Sequence, residues 1–138
     1  MRKALPVFVF ALAAGMAALA GCGGKAPYDF TVTSVVNYSN PATAPIPGGQ
    51  AIINFDAGDL EYPTSAPSYT AYFRDMVDGP YVKGMGGTPT LGTMFTDNGD
   101  GTFEIVVTIP VSACGGPMVV VADDYEAPAY SVPLTMCP

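Results

Sequence analysis

The chain has no histidine and no tryptophan, and its five lysines and arginines face 12 aspartates and glutamates. Each shortage removes a class of function. Without imidazole there is no Ser-His-Asp triad, no histidine base and no histidine metal ligand. With so few cations there is no surface suited to phosphate, so nucleic acid is not expected as a partner. Anionic lipid headgroups would repel the folded part for the same reason. Long amphipathic helical segments are also missing, so the hydrophobic half of the composition must be organised some other way. No residue is nominated for catalysis, and the chain is not expected to be an enzyme.

What is present begins with an address. Residues 1–22 read MRKALPVFVFALAAGMAALAGC. Arg2 and Lys3 form a basic start, residues 5–20 an almost unbroken apolar run, and Ala20-Gly21-Cys22 a small-residue end. That is the layout of a secretory signal peptide. The run is short for a membrane span, and Gly23-Gly24 supplies no charged stop. Leu19-Ala20-Gly21-Cys22 resembles the lipobox of bacterial lipoproteins. The resemblance implies cleavage before Cys22 and lipid on its sulfur and amine, and two or more acyl chains make a stable anchor. It also implies the cell envelope as location. Gly23, where an aspartate would favour inner-membrane retention, points to the outer membrane where a cell has two. The expected organisation is a signal peptide at 1–21, a lipidated cysteine and flexible tether at 22–28, and one folded domain at 29–138.

Removal of the leader leaves Lys25, Arg74 and Lys83 as the only cations against all 12 acids. It also leaves Cys114 and Cys137 once Cys22 carries lipid. Two cysteines in an exported domain most simply pair with each other. Two sulfurs without histidine fall short of a structural zinc set.

The folded part reads as all-β. Sixteen glycines and 14 prolines interrupt short runs that alternate with a period of two. The runs are 29–36, 50–55, 68–73, 91–95, 102–109, 118–122 and 130–136. In the clearest, Phe103, Ile105, Val107 and Ile109 share one face. Ala51, Ile53 and Phe55 share a face of the second, and Tyr69, Ala71 and Phe73 a face of the third. Seven short strands suit an immunoglobulin-like β-sandwich. The stretch DNGDGTFEIVVTIP, with GGPMVVVADDYEAPAYSVPLTM after it, resembles the second half of a filamin-type immunoglobulin repeat over residues 96–136. Phe103 stands where that family commonly has tyrosine. The resemblance implies a sandwich and a binding or spacer module. If 118–122 and 130–136 form a hairpin, Cys137 is expected opposite residue 116, near Cys114.

Two groups of residues invite a functional reading. DNGDG spaces Asp and Gly like a calcium loop, but an EF-hand frame puts Thr96 first and Val107 twelfth, where acids are required. Its Asn-Gly and Asp-Gly pairs suit a tight turn instead. The acids as a set are more suggestive. In such a sandwich the loops after the second, fourth and sixth strands meet at one end. They carry Asp56, Asp59 and Glu61, then Asp97 and Asp100, then Asp123, Asp124 and Glu126. These eight are the candidates for a weak Ca²⁺ site; otherwise they form a solvated acidic surface, and no other cofactor is expected. The tyrosines form the second group. Tyr62, Tyr72, Tyr81, Tyr125 and Tyr130 either stack on sugars and anchor a protein, or simply cover a sheet; Tyr69 reads as core. The composite expectation is a membrane-anchored, non-enzymatic module that presents loops to a protein or glycan partner. An accessory Ca²⁺-binding lipoprotein is the alternative.

Overall fold

The computed structural model describes residues 30–58, 66–123 and 125–137. The leader, Cys22 and the tether lie outside the described residues, as do Asp59, Glu61, Tyr62 and Asp124. No helix among the described residues is long and apolar enough to cross a membrane.

Alternation of side chains builds two antiparallel sheets. The first contains β1 (Thr31–Asn37), β2 (Gln50–Asp56), β5 (Thr93–Asp97) and β6 (Thr102–Thr108) in the order β1-β2-β6-β5. The second contains β3 (Tyr69–Phe73), β4 (Thr88–Leu91), β7 (Gly116–Ala122), β8 (Tyr125–Glu126) and β9 (Tyr130–Val132). Its order is β4-β3-β7-β8, and β9 also pairs with β7. Segregation of the first, second, fifth and sixth strands from the rest is the immunoglobulin-type β-sandwich.

The inward face of each strand is the one its alternation marks. Ala51, Ile53 and Phe55 of β2, Tyr69, Ala71 and Phe73 of β3, and Phe103, Ile105 and Val107 of β6 are all buried. One residue of register slip would turn these sets to solvent, so burial of one face fixes the pairing. Phe55 faces Phe103 across the β2–β6 ladder, and the two rings lie 5.9 Å apart. Phe30, Phe55, Tyr69, Phe95 and Phe103 form a continuous aromatic cluster between the sheets. Full burial of each such ring stabilises the fold by about 1.5–3 kcal/mol.

Three features depart from the seven-strand expectation. The expected strand 91–95 is two strands, β4 and β5, which belong to different sheets and meet at Gly92. The chain crosses from one layer to the other there, and the amide of Gly92 bonds the carbonyl of Tyr69 at 2.8 Å. The expected strand 130–136 ends at Val132, and its pairing to β7 begins again as β8 beyond a break at 127–129. Pro128 lies in that break, where it removes a ladder donor. The register differs as well. Gly116 pairs with Val132, so Cys137 does not reach Cys114 by extension of the hairpin. It arrives through a separate parallel bridge between Gly115 and Met136. The structure joins Cys114 to Cys137, with Cα atoms 5.2 Å apart.

Candidate functional site

The loops after β2, β5 and β7 do meet at one end. Asp56 pairs with Thr102, and the amide of Ala57 bonds the carbonyl of Gly101 at 3.1 Å. Asp97 pairs with Phe103, beside the same turn. In the other sheet, Tyr69 pairs with Ala122, which immediately precedes Asp123. Burial pushes the Tyr69 phenol up to about 12, and the nearby charge of Asp123 adds to the shift. Asp56, Asp97, Asp100 and Asp123 therefore share an end of the sandwich.

The carboxylates there are largely occupied by their own turns. Asp56 accepts the amide of Gly58 at 2.8 Å, and Asp97 that of Gly99 at 2.8 Å. Asp100 accepts the amide of Thr102 at 3.0 Å and also its hydroxyl. Those two bonds, the hydroxyl first, hold Asp100 below the usual carboxylate range. Gly99 and Gly101 take φ of 80° and 88°, so DNGDG is the turn between β5 and β6. Among the described residues no three acids, or acids with cysteines, come together in a group able to hold a metal ion. Asp59, Glu61 and Asp124 lie outside the described residues. Glu126 lies one step into β8, opposite Val121.

Glu126 belongs instead to a cleft on the outer face of the five-stranded sheet. The segment 74–87 creates it. This segment leaves β3 at the disulfide end and turns sharply at Asp75, whose amide and carbonyl both bond Gly79. Asp75 is 4 % exposed, and its carboxylate accepts the amides of Val77 and Asp78 and the hydroxyl of Thr88. The Thr88 hydroxyl, then the Asp78 amide, holds its pKa below the usual carboxylate range. Thr88 starts β4, so a single carboxylate clamps both ends of the segment.

Beyond that clamp the chain doubles back across the sheet. The Tyr81 ring lies 4.6 Å from that of Tyr72, which points outward from β3. The Tyr81 hydroxyl donates to Glu126 Oε2 at 3.3 Å and accepts the amide of Gly84 at 3.0 Å. Burial raises the Tyr81 phenol, and the negative charge of Glu126 adds to this, so the group stays protonated at neutral pH. Val82 and Met85 exchange backbone bonds of 2.7 and 2.6 Å around Lys83-Gly84, which makes a tight tip. Tyr81, Lys83, Gly84, Val121, Asp123, Tyr125 and Glu126 line a cavity of about 340 Å³.

The sequence had marked Tyr81, Tyr125 and Glu126 separately, the last as a candidate metal ligand. Lys83 stands out in the sequence only as one of the three cations left once the leader is removed, and Asp75 carries no assigned role there. A local signal for Asp75 was available: Asp-Met-Val-Asp-Gly at 75–79 has the side-chain acceptor and glycine of a carboxylate-capped turn. Comparison with known proteins finds no matching family model, no matching curated protein and no matching solved structure. Fold and cleft together define a β-sandwich with a small, aromatic-walled surface site.

Proposed function

We propose that the protein is a non-enzymatic lipoprotein of the cell envelope, held by lipid on Cys22, whose sandwich presents a binding surface to an envelope partner. The observation that carries this reading is the fold-back of 74–87. Its clamp at Asp75 and its ring contact with Tyr72 hold Tyr81 in place beside Glu126 before any ligand arrives. Preorganised aromatic groups bind with little ordering cost. The leader and the four residues ending at Cys22 support the anchor and the location. The lack of histidine and the placement of Lys83 at an exposed loop tip support binding over catalysis. Strand β1 starts at the acidic end, so a tether at 22–28 would turn that end toward the membrane and the disulfide outward.

Two measurements on the full chain test the reading together. Labelled palmitate should enter the protein, and the protein should sediment with membranes; Cys22→Ala should abolish both. Envelope fractions should retain added wild-type protein better than Tyr81→Ala. Equal retention of the two would remove the cleft from the function.

A second reading, weak Ca²⁺ binding at the acidic end, is favoured by the shared placement of Asp56, Asp97, Asp100 and Asp123. It requires Ca²⁺ to displace turn hydrogen bonds already made. Its signature is a higher melting temperature in millimolar Ca²⁺ than in chelator, and an unchanged melt removes it.

A further inference from the structure

We propose that the cleft between Tyr81 and Tyr125 takes a neutral, hydroxyl-rich ring, that is, a sugar unit of an envelope glycan. The inference rests on the binding-module reading above and names the ligand class of the same site.

The argument starts from the charges at the rim. Among the described residues Asp123 and Glu126 contribute two carboxylates, and Lys83 an ammonium. An anionic ligand would face two like charges against one opposite. A cationic ligand would meet the Lys83 ammonium in the same lining. Hydroxyl groups face neither problem, because each can donate to a carboxylate and accept from an ammonium. Carboxylates only accept and ammoniums only donate, so a polyol satisfies both kinds of rim group at once.

The walls point the same way. Among the described residues Val121 is the only aliphatic side chain in the lining, so a long apolar ligand would find little to cover it. Tyr81 and Tyr125 both line the cavity, and a tyrosine pairs an apolar body with a polar tip. A pyranose has a matching face of C–H groups and an equator of hydroxyls. The cavity of about 340 Å³ falls at the small end of ligand sites, which run from about 300 to 1,000 Å³. A protein anchor would instead need a well-packed, fully desolvated pocket, and this cleft is open and mixed in polarity.

Rigidity supplies the last element. The Tyr81 hydroxyl is fixed from both sides, by Gly84 and by Glu126, and the ring rests on Tyr72. The Glu126 carboxylate has a second oxygen with which to meet a ligand hydroxyl. Asp123 has φ of 52°, which places it at the tip of the β7–β8 turn and on the cleft rim.

The test titrates full-length lipidated protein in detergent with cellotetraose, chitotetraose, tetralysine and tetraglutamate. The chain has no tryptophan, so tyrosine emission reports directly, and amide shifts at Gly84 and Glu126 locate the site. A neutral tetrasaccharide should bind in the millimolar range or tighter and move both amides. Tyr81→Ala should weaken it at least tenfold. Glu126→Gln, which keeps size and fold, should weaken it several-fold, and this second variant decides the matter if Tyr81→Ala misfolds. Sugar binding unaffected by Glu126→Gln, or shifts confined to other residues, would overturn the proposal. Tetralysine binding at Gly84 without any sugar binding would also overturn it, while leaving the binding module standing. No binding by any probe, with no retention in envelope fractions, would remove both.

Discussion

The two ends of this sandwich are held by different chemistry. At the acidic end, Asp56, Asp97 and Asp100 tie their own turns through side-chain hydrogen bonds, above the cluster of Phe30, Phe55, Tyr69, Phe95 and Phe103. At the other end, Cys114 and Cys137 are joined covalently, and Gly48 and Gly49 bond the backbone of Ile109 at 2.8 and 2.9 Å. Exposed side chains differ too. Ile46, Met76, Val77, Val111 and Met136 are exposed on loops near the disulfide end. Strand β7 runs from one end to the other, roughly 20 Å at strand rise. The difference teaches that one end of the fold is closed by side-chain hydrogen bonds within its turns and the other by a covalent bond, with the cleft built from a segment that starts at the second and reaches toward the first.

The largest expected effect is at the aromatic cluster. Phe55→Ala removes a ring that touches Phe30, Tyr69 and Phe103. Urea unfolding should show a loss of about 3–5 kcal/mol. A loss below 1 kcal/mol would mean that the two sheets are not packed through this residue.

Next comes the disulfide. Replacing both cysteines by alanine should cost about 2–4 kcal/mol by the same measurement. The amide signals of Gly84 and Glu126 that mark the cleft should keep their positions below the new transition, because Asp75 rather than the disulfide clamps the segment 74–87. A cleft signal lost while the sheets stay folded would break the distinction between the two ends.

Gly115 gives a smaller but sharper test of the disulfide end. A Cβ at this position would collide with the carbonyl of Leu134 and meet the Met136 sulfur at 3.1 Å. Gly115→Ala should therefore destabilise by about 1–3 kcal/mol. A neutral result would show that the C-terminal segment does not pack where it is described.

The smallest effect is the pH slope. Asp75 and Asp100 both have pKa values lowered from the ordinary carboxylate value. A group whose folded value is depressed contributes stability above its unfolded value, near pH 4, and loses it as pH falls through the folded value. Stability should thus be flat from neutral pH down to the carboxylate range and fall below it. Asp75→Asn should flatten that fall, and Asp100→Asn should do so to a lesser degree, since Asp100 is exposed. A fall unchanged in Asp75→Asn would mean that Thr88 and the turn amides do not depend on the charge.

Much of this architecture was legible because it is periodic. The alternation of Phe103, Ile105 and Val107, and of Ala51, Ile53 and Phe55, names both the strands and their buried faces. The Cys114–Cys137 pair followed from the cysteine count, and the common end of Asp56, Asp97 and Asp100 from strand order. The features that were not legible lack periodicity. The sheet change at Gly92 depends on two flanking strands that choose different partners, although 91–95 alone looks like one weak strand. The break at 127–129 shifts the last pairing, so spacing alone misplaces Cys137 on β7. The cleft is least visible of all. Tyr81 meets Tyr72 and Glu126 only because a carboxylate at Asp75 turns the chain back, and no local pattern says over which face a loop will lie.

The most direct measurement places a photoreactive amino acid at residue 83, in the cleft, or at residue 111, near the disulfide, in full-length protein in its own envelope. Val111 is 84 % exposed, so the second probe is at least as accessible as the first. The expected result is an adduct with envelope material from residue 83, reduced by Tyr81→Ala, and little or none from residue 111. Adducts from residue 111 alone would contradict the proposed site and move the function to the disulfide end.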